Sequence, residues 1–169
     1  KRSSVIILRY FNPIGAHPSG ILSENPKKAE NIVPNILKSI KQKKTFKIYG
    51  NNYKTKDGTC LRDYIHVVDL ARSHIKALDL IKNNNLSIIN VGTGNPYSVN
   101  EIFKSFCKYS GKDISYKYAN KRDGDVDICY SDTKKQKKIL KFVPKYSIDQ
   151  MVKHVLNTVK IKWKIIIFT

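Results

Sequence analysis

The chain has 169 residues, with 32 Lys+Arg against 13 Asp+Glu for a formal net charge of +19, and 41% of it is hydrophobic. That is one domain's worth of chain, and a length of about 150 residues buries roughly two-thirds of its unfolded surface, which excludes global disorder. The longest apolar runs, Val5-Ile6-Ile7-Leu8 and Ile165-Ile166-Ile167-Phe168, fall far short of the ~20 residues that a membrane-spanning helix needs, so no membrane partner is expected.

Ser4 to Tyr10 is β-branched and apolar without alternation, which predicts a strand covered on both faces, as in a parallel α/β sheet. Phe11-Asn12-Pro13-Ile14-Gly15 reads as a loop, and punctuation continues through Pro18, Gly20 and Pro26. Ile32, Val33, Ile36, Leu37 and Ile40 mark one face of a helix that ends in the lysines at 41, 43 and 44. Phe46 to Tyr49 predicts a short strand stopped by Gly50, and 51–59 an exposed polar loop. Val68, Ala71, Ile75, Leu78 and Ile81 recur at helical spacing, and Ile88-Ile89-Asn90-Val91 signals a buried strand. Ser98 with Glu101 forms a capping box before the stripe Val99, Ile102, Phe103 and Phe106. Ile114, Tyr116 and Tyr118 alternate as a half-exposed strand. Ser147 with Gln150 is a second capping box, opening a last helix on Ile148, Met151, Val152, Val155 and Val159. Strands alternating with helices make the class α/β.

A sequence pI near 9.9 nominally advertises a nucleic-acid or anionic-membrane surface. Yet only five of the cations are arginines, Arg2, Arg9, Arg62, Arg72 and Arg122, while lysines fall in scattered pairs among asparagines such as Asn83-Asn84-Asn85. Nucleic-acid readers lean on arginine forks and stacking aromatics, so the lysines read as a solvated surface and no nucleic-acid partner is expected. Cys60, Cys107 and Cys129 are an odd number without metal spacing, which predicts neither disulfides nor a metal site and fits a reducing, cytoplasmic location. Arg9 interrupts the first apolar stretch, so no secretory signal is expected. A first residue Lys1 suggests a piece of something longer.

Several motifs invite chemistry. Gly92-Thr93-Gly94 lies between strand and helix but lacks the third glycine and the later acidic residue of a dinucleotide fingerprint, which favours a tight turn. Tyr130 and Lys134 have the spacing by which a lysine lowers a tyrosine's pKa, a match that chance supplies easily in so lysine-rich a chain. His17, His66, His74 and His154 show no paired spacing and read as packing or surface residues. Cys129, without a nearby histidine, reads as a core or pocket-wall residue. Arg62-Asp63 and Arg122-Asp123 read from composition as surface ion pairs, although each guanidinium fork could face a diphosphate.

Three segments stand out together: Leu8-Arg9-Tyr10-Phe11-Asn12-Pro13-Ile14-Gly15-Ala16-His17-Pro18-Ser19-Gly20, Ile48-Tyr49-Gly50-Asn51-Asn52-Tyr53, and Asp57-Gly58-Thr59-Cys60-Leu61-Arg62-Asp63-Tyr64-Ile65-His66-Val67-Val68-Asp69-Leu70-Ala71. With Asn90-Val91-Gly92-Thr93-Gly94 and Arg122-Asp123-Gly124-Asp125-Val126 they closely resemble, in order and spacing, the UDP-glucose 4-epimerase family of extended short-chain dehydrogenase/reductases. The likeness covers about residues 5–159. In 160–169 only Trp163 resembles the family's ending.

The resemblance implies an NAD-binding Rossmann-type fold with a smaller UDP-sugar-binding region. On it, 1–20 is a late Rossmann strand and loop, 21–60 and 98–159 are mostly substrate-binding, 61–97 returns to the Rossmann sheet, and 160–169 is a divergent tail. It implies NAD at Tyr10 and Phe11, and sugar-nucleotide contacts from Asn12, Asn31 and Tyr64. Lys47, Ile48 and Tyr49 would present backbone to the uracil, Arg62 and Arg122 would clamp the diphosphate, and Asp125 would hold the ribose. The implied reaction is oxidation at C4 of UDP-glucose or UDP-galactose, rotation of the 4-keto sugar and re-reduction, a step of galactose metabolism. For the full-length family the resemblance implies a homodimer. Cys129 falls where members carry a tyrosine or a smaller residue, which is compatible with UDP-N-acetylhexosamines. The family's glycine fingerprint and its catalytic Tyr-x-x-x-Lys lie in its first half, so this chain reads as the C-terminal half and is expected to be inactive alone. A non-catalytic UDP-sugar-binding remnant and a basic nucleic-acid-binding domain are the rival readings. Sister 4,6-dehydratases and decarboxylases match the Asn-Pro-x-Gly-Ala-His-Pro-Ser-Gly run less well.

Overall fold

A computed structural model describes residues 5–22, 31–81 and 86–166, with side chains to Val159. The expectations at Ser4, Pro26 and Trp163 lie outside these residues or side chains. The strands are β1 (Val5–Tyr10), β2 (Asn12–Ile14), β3 (Phe46–Tyr49), β4 (Leu61–His66), β5 (Leu86–Val91), β6 (Pro96–Ser98), β7 (Tyr116–Ala119) and β8 (Ile128–Cys129). The helices are α1 (Ile32–Gln42), α2 (Val67–Leu78), α3 (Val99–Ser110) and α4 (Ile148–Ile166), with a π-helical turn at Gln136–Leu140. The class is α/β, as the alternation predicts.

Strand β4 organises the molecule. It pairs in parallel with β2, where Asn12 faces Tyr64 and Ile14 faces His66, antiparallel with β6, and in parallel with β8. Side chains alternate along a strand, so Arg62, Tyr64 and His66 share one face of β4 and Leu61, Asp63 and Ile65 the other. Two cores meet there. Tyr64 joins a cluster built on Ile36, Ile48, Ile102, Phe106, Met151 and Val152, enclosed by α1, α3 and α4. Ile65 joins a smaller one with Ile89, Val91, Leu140 and Phe142.

Both capping boxes form. The Ser98 hydroxyl accepts from Glu101 N–H while the Glu101 carboxylate accepts from Ser98 N–H, and Ser147 and Gln150 exchange the equivalent pair. Each satisfies otherwise orphaned donors of a helix N-terminus.

Four readings need correction. The loop at 11–15 contains strand β2, which tolerates Pro13 because it pairs only with β4, on one edge. The loop at 51–59 is not simply exposed, since Tyr53 is 4% and Thr59 0% exposed. Helix α2 leaves Val68 half-buried, turns Ala71, Ile75 and Leu78 of its stripe outward, and buries Asp69, Ser73 and Ala77 instead. The polar side chains are satisfied there: Asp69 accepts from the Lys145 and Tyr146 N–H groups and from Arg72, and Ser73 donates to the Leu70 carbonyl. Lastly, β1 is covered on one face only. It pairs in parallel with β5 so that Val5 opposes Leu86, Ile7 opposes Ile88 and Arg9 opposes Asn90. Val5, Ile7, Leu86 and Ile88 remain 38–69% exposed, while Ile6 and Leu8 pack into the smaller core.

Candidate functional site

A cavity of about 430 Å³ opens alongside β2, over the first half of β4, between α1 and the loop after β7. Asn12, Asn31, Lys47, Tyr49, Arg62, Tyr64, Arg122 and Asp125 all line it, on a floor that includes Pro13, Ile14 and Phe46. Ile48 does not, because its side chain alternates into the main core at 1% exposure. Residues from five separate stretches of sequence thus converge on one hollow. It holds the cations Lys38, Lys44, Lys47, Arg62 and Arg122 against the single acid Asp125, which suits an anionic ligand.

The two arginines are held differently. The Arg62 guanidinium donates from Nη1 to the Leu61 and Val126 carbonyls at 2.9 and 2.8 Å, and from Nη2 to Asp125 Oδ1 at 3.1 Å. Three of its five donors are engaged, fixing the plane of the fork. The Arg122 guanidinium lies 4.0 Å from the centre of the Tyr49 ring, a cation–π stack that joins the loop after β7 to the end of β3. Tyr53 donates to the other Asp125 oxygen at 3.4 Å. Burial, then the charge of Asp125, push the Tyr53 phenol up.

The adjacent-pair reading of Arg62-Asp63 is therefore wrong, because neighbours on a strand point to opposite faces. Asp63 is fully buried and accepts five hydrogen bonds, from the N–H and hydroxyl of both Thr93 and Ser131 and from Gly94 N–H, at 2.5–3.1 Å. Burial raises its pKa, but those bonds outweigh it and leave the carboxyl below its ordinary value. Arg122-Asp123 is likewise no ion pair among the described residues.

Asp63 also decides the fate of the glycine turn. Thr93 and Gly94 N–H are spent on it, and Gly92 N–H donates to the buried Gln136 side chain at 3.0 Å. A Cβ at Gly92 would stand 2.4 Å from Asp63 Oδ2 and from Ser131 Oγ. The turn is locked by protein groups and offers no donor to a phosphate.

A second, more open hollow of about 580 Å³ lies at the C-terminal end of β1, lined by Arg9, Tyr10, Phe11, Asn12, Arg62, Asn90 and Cys129. Asn12 and Arg62 line both hollows. Ligands of open α/β sheets bind beyond the carboxyl ends of strands, where this second hollow lies. Tyr10 and Phe11 offer an aromatic edge suited to one end of a dinucleotide. The described residues hold no cradle for its pyrophosphate, so on their own they do not fit the whole cofactor. Tyr130 and Lys134 line neither hollow.

Sequence reasoning missed the polar wall of α1. Asn35, Lys38 and Gln42 follow Asn31 at intervals of four, three and four, one helix face, and all line the first cavity. It also missed Arg9 and Asn90, which only the parallel register sets side by side.

Known proteins resemble this chain in sequence and in fold. The chain is 44% identical over 151 residues to UDP-glucose 4-epimerase of Bacillus subtilis, a match covering 88% of the chain and 44% of that protein. The crystal structure of UDP-glucose 4-epimerase from Bifidobacterium longum in complex with NAD+ and UDP superposes with a TM-score of 0.88 at 42% identity, over 93% of this chain and 48% of that one. The UDP-Glc/GlcNAc 4-epimerase of Campylobacter jejuni superposes with a TM-score of 0.73 at 34% identity, over 92% and 48%. The chain spans about half the length of the curated relatives it matches. A family model described as NAD dependent epimerase/dehydratase family matches residues 1–92. With more than half its residues in that match, the chain belongs to the NAD dependent epimerase/dehydratase family, a family of enzymes.

Proposed function

We propose that the chain carries the UDP-sugar side of a UDP-glucose 4-epimerase site. The observation that supports this most is the cavity in which Arg62 and Arg122, remote in sequence, share a wall with Asn12, Asn31 and Asp125. Two guanidinium forks match a dianionic diphosphate better than lysines do, because each presents paired donors in a plane. Lys47 and Tyr49 lie at the uracil end, Asp125 reaches the ribose, and the hexose extends toward Asn12, Tyr64 and Cys129. The exposed Cys129 leaves room for an N-acetyl group. NAD, when bound in this family, supplies hydride exchange at the sugar carbon. Tyr10 and Phe11 form its contact edge here.

The tyrosine beneath the hexose is not the base for the hydroxyl proton, because burial drives the Tyr64 phenol well above its ordinary value. By the resemblance, the base and the pyrophosphate cradle belong to the first half of the full-length family. The chain alone is therefore a UDP-sugar binder without turnover.

Titration calorimetry with UDP-glucose tests this. Binding is expected, with affinity reduced about 30-fold or more in Arg122→Ala, since removing one partner of a desolvated charge contact costs about 2–5 kcal/mol. Absence of binding by the folded wild type, or equal affinity in Arg122→Ala, would falsify the proposal. Epimerisation by the purified chain would contradict the missing base.

A further inference from the structure

The cavity strand ends on a histidine that the proposed binding role does not use. His66 shares a face of β4 with Arg62 and Tyr64, is fully buried, and sits against the turn after β2, where a Cβ on Gly15 would come within 2.7 Å of its ring. Its Nδ1 accepts from Val68 N–H at 3.0 Å and caps α2. The neutral ring therefore carries its proton on Nε2, which donates to Nδ1 of His154 on α4, 3.0 Å away. Tyr146 stacks on His66 with ring centres 4.1 Å apart. One imidazole thus joins four pieces: β4, the turn after β2, the start of α2, and α4.

This arrangement has no vacancy for a proton. A proton on His66 Nδ1 would displace the bond from Val68, and one on His154 Nδ1 would set two donors face to face. The neighbours offer little compensation. Asp69, from α2, is the carboxylate whose charge favours the protonated ring, and it is already spent on Arg72 and the N–H groups of Lys145 and Tyr146. His17, from the loop after β2, adds a like charge when protonated. Burial first, then His154, lower the His66 pKa from 6.5 to about 4.

We infer that His66 is a positioning residue for the nucleotide cavity: neutral and bonded to His154, it clamps the strand carrying Arg62 and Tyr64 onto α4, and proton uptake releases that clamp. This rests on the cavity being the ligand site proposed above, and its test separates the two. Native-state hydrogen exchange at the β4 amides reads opening without any ligand. UDP-glucose calorimetry reads the consequence, with a ligand whose diphosphate does not titrate between pH 5 and 8.

In the wild type, opening of β4 should rise on the order of tenfold from pH 7.5 to pH 5, because the open form takes up the proton near the ordinary histidine value. Affinity for UDP-glucose should fall with it. His154→Gln keeps an acceptor for His66 Nε2–H, so it should match the wild type at pH 7.5 and retain the pH response, whereas His66→Asn keeps an acceptor for Val68 N–H but binds no proton and should lose most of that response. His154→Leu removes the acceptor and should open β4 at both pH values. An equal pH response in wild type and His66→Asn, or none in the wild type, would overturn the inference. Normal exchange behaviour without UDP-glucose binding at pH 7.5 would instead overturn the ligand reading and leave the clamp standing.

Discussion

The two cores on either side of β4 are built to different degrees of completion. The larger one, around Ile36, Phe106, Met151 and Val152, is closed on every side by α1, α3 and α4, and its central residues are at most 1% exposed. The smaller one has a finished face, where Ile65, Ile89 and Val91 meet Leu140 and Phe142, and an unfinished one, where Val5, Ile7, Leu86 and Ile88 face outward. Parallel sheets are ordinarily buried on both faces. A large lobe that can hold its shape therefore stands beside a layer that awaits cover, and both hollows lie along the join.

Substitutions can break this contrast. Phe106→Ala, in the closed core, should cost about 3–5 kcal/mol by urea unfolding, through lost transfer energy and an unfilled cavity. A cost below about 1 kcal/mol there would mean that the lobe is not the stable part of the chain.

Asp63→Ala strikes the join itself. It orphans the donors of Thr93, Gly94 and Ser131, and a loss of about 3 kcal/mol is expected, since each buried unsatisfied group costs about 1–3 kcal/mol. The wild type should show the same dependence through pH. Asp63 titrates below its ordinary 3.8 in the fold, so its contribution is full above that value and is lost as pH falls through the folded pKa. His66 acts earlier in an acid titration. Its pKa is lowered from 6.5 to about 4, so the unfolded chain binds the extra proton and stability declines between those two values. Unfolding midpoints measured from pH 8 to pH 3 should fall in two stages, and a single drop confined below pH 4 would remove His66 from the account.

The smallest effect belongs to the open layer. Ile7→Thr and Ile88→Thr should change stability by no more than about 0.5 kcal/mol, as exposed positions do, while reducing self-association measured by light scattering. A loss comparable to Phe106→Ala would show that this face is covered in the isolated chain.

How much of this was legible beforehand varies from residue to residue. Ser98 with Glu101 and Ser147 with Gln150 announced their helices because a capping box is satisfied within four residues. The stripe of α2 misled, because periodicity reveals which residues share a face but not which face turns inward. Asp69 and Ser73 could go inside only because Arg72 and the backbone at 145–146 were there to meet them. Histidines spaced 88 residues apart, His66 and His154, gave no local signal at all.

The sequence by itself determined the class, most element positions and, through colinear motifs, the family and the residues assigned to the cavity. Tertiary structure decided the rest. It split Arg62 from Asp63 across a strand, gave Arg62 to Asp125, spent Asp63 on the glycine turn, and left one face of β1 and β5 bare. The physical reason is the range of the forces involved. Capping and periodicity act within a few residues, whereas burial and the pairing of buried polar groups depend on which distant segment arrives opposite.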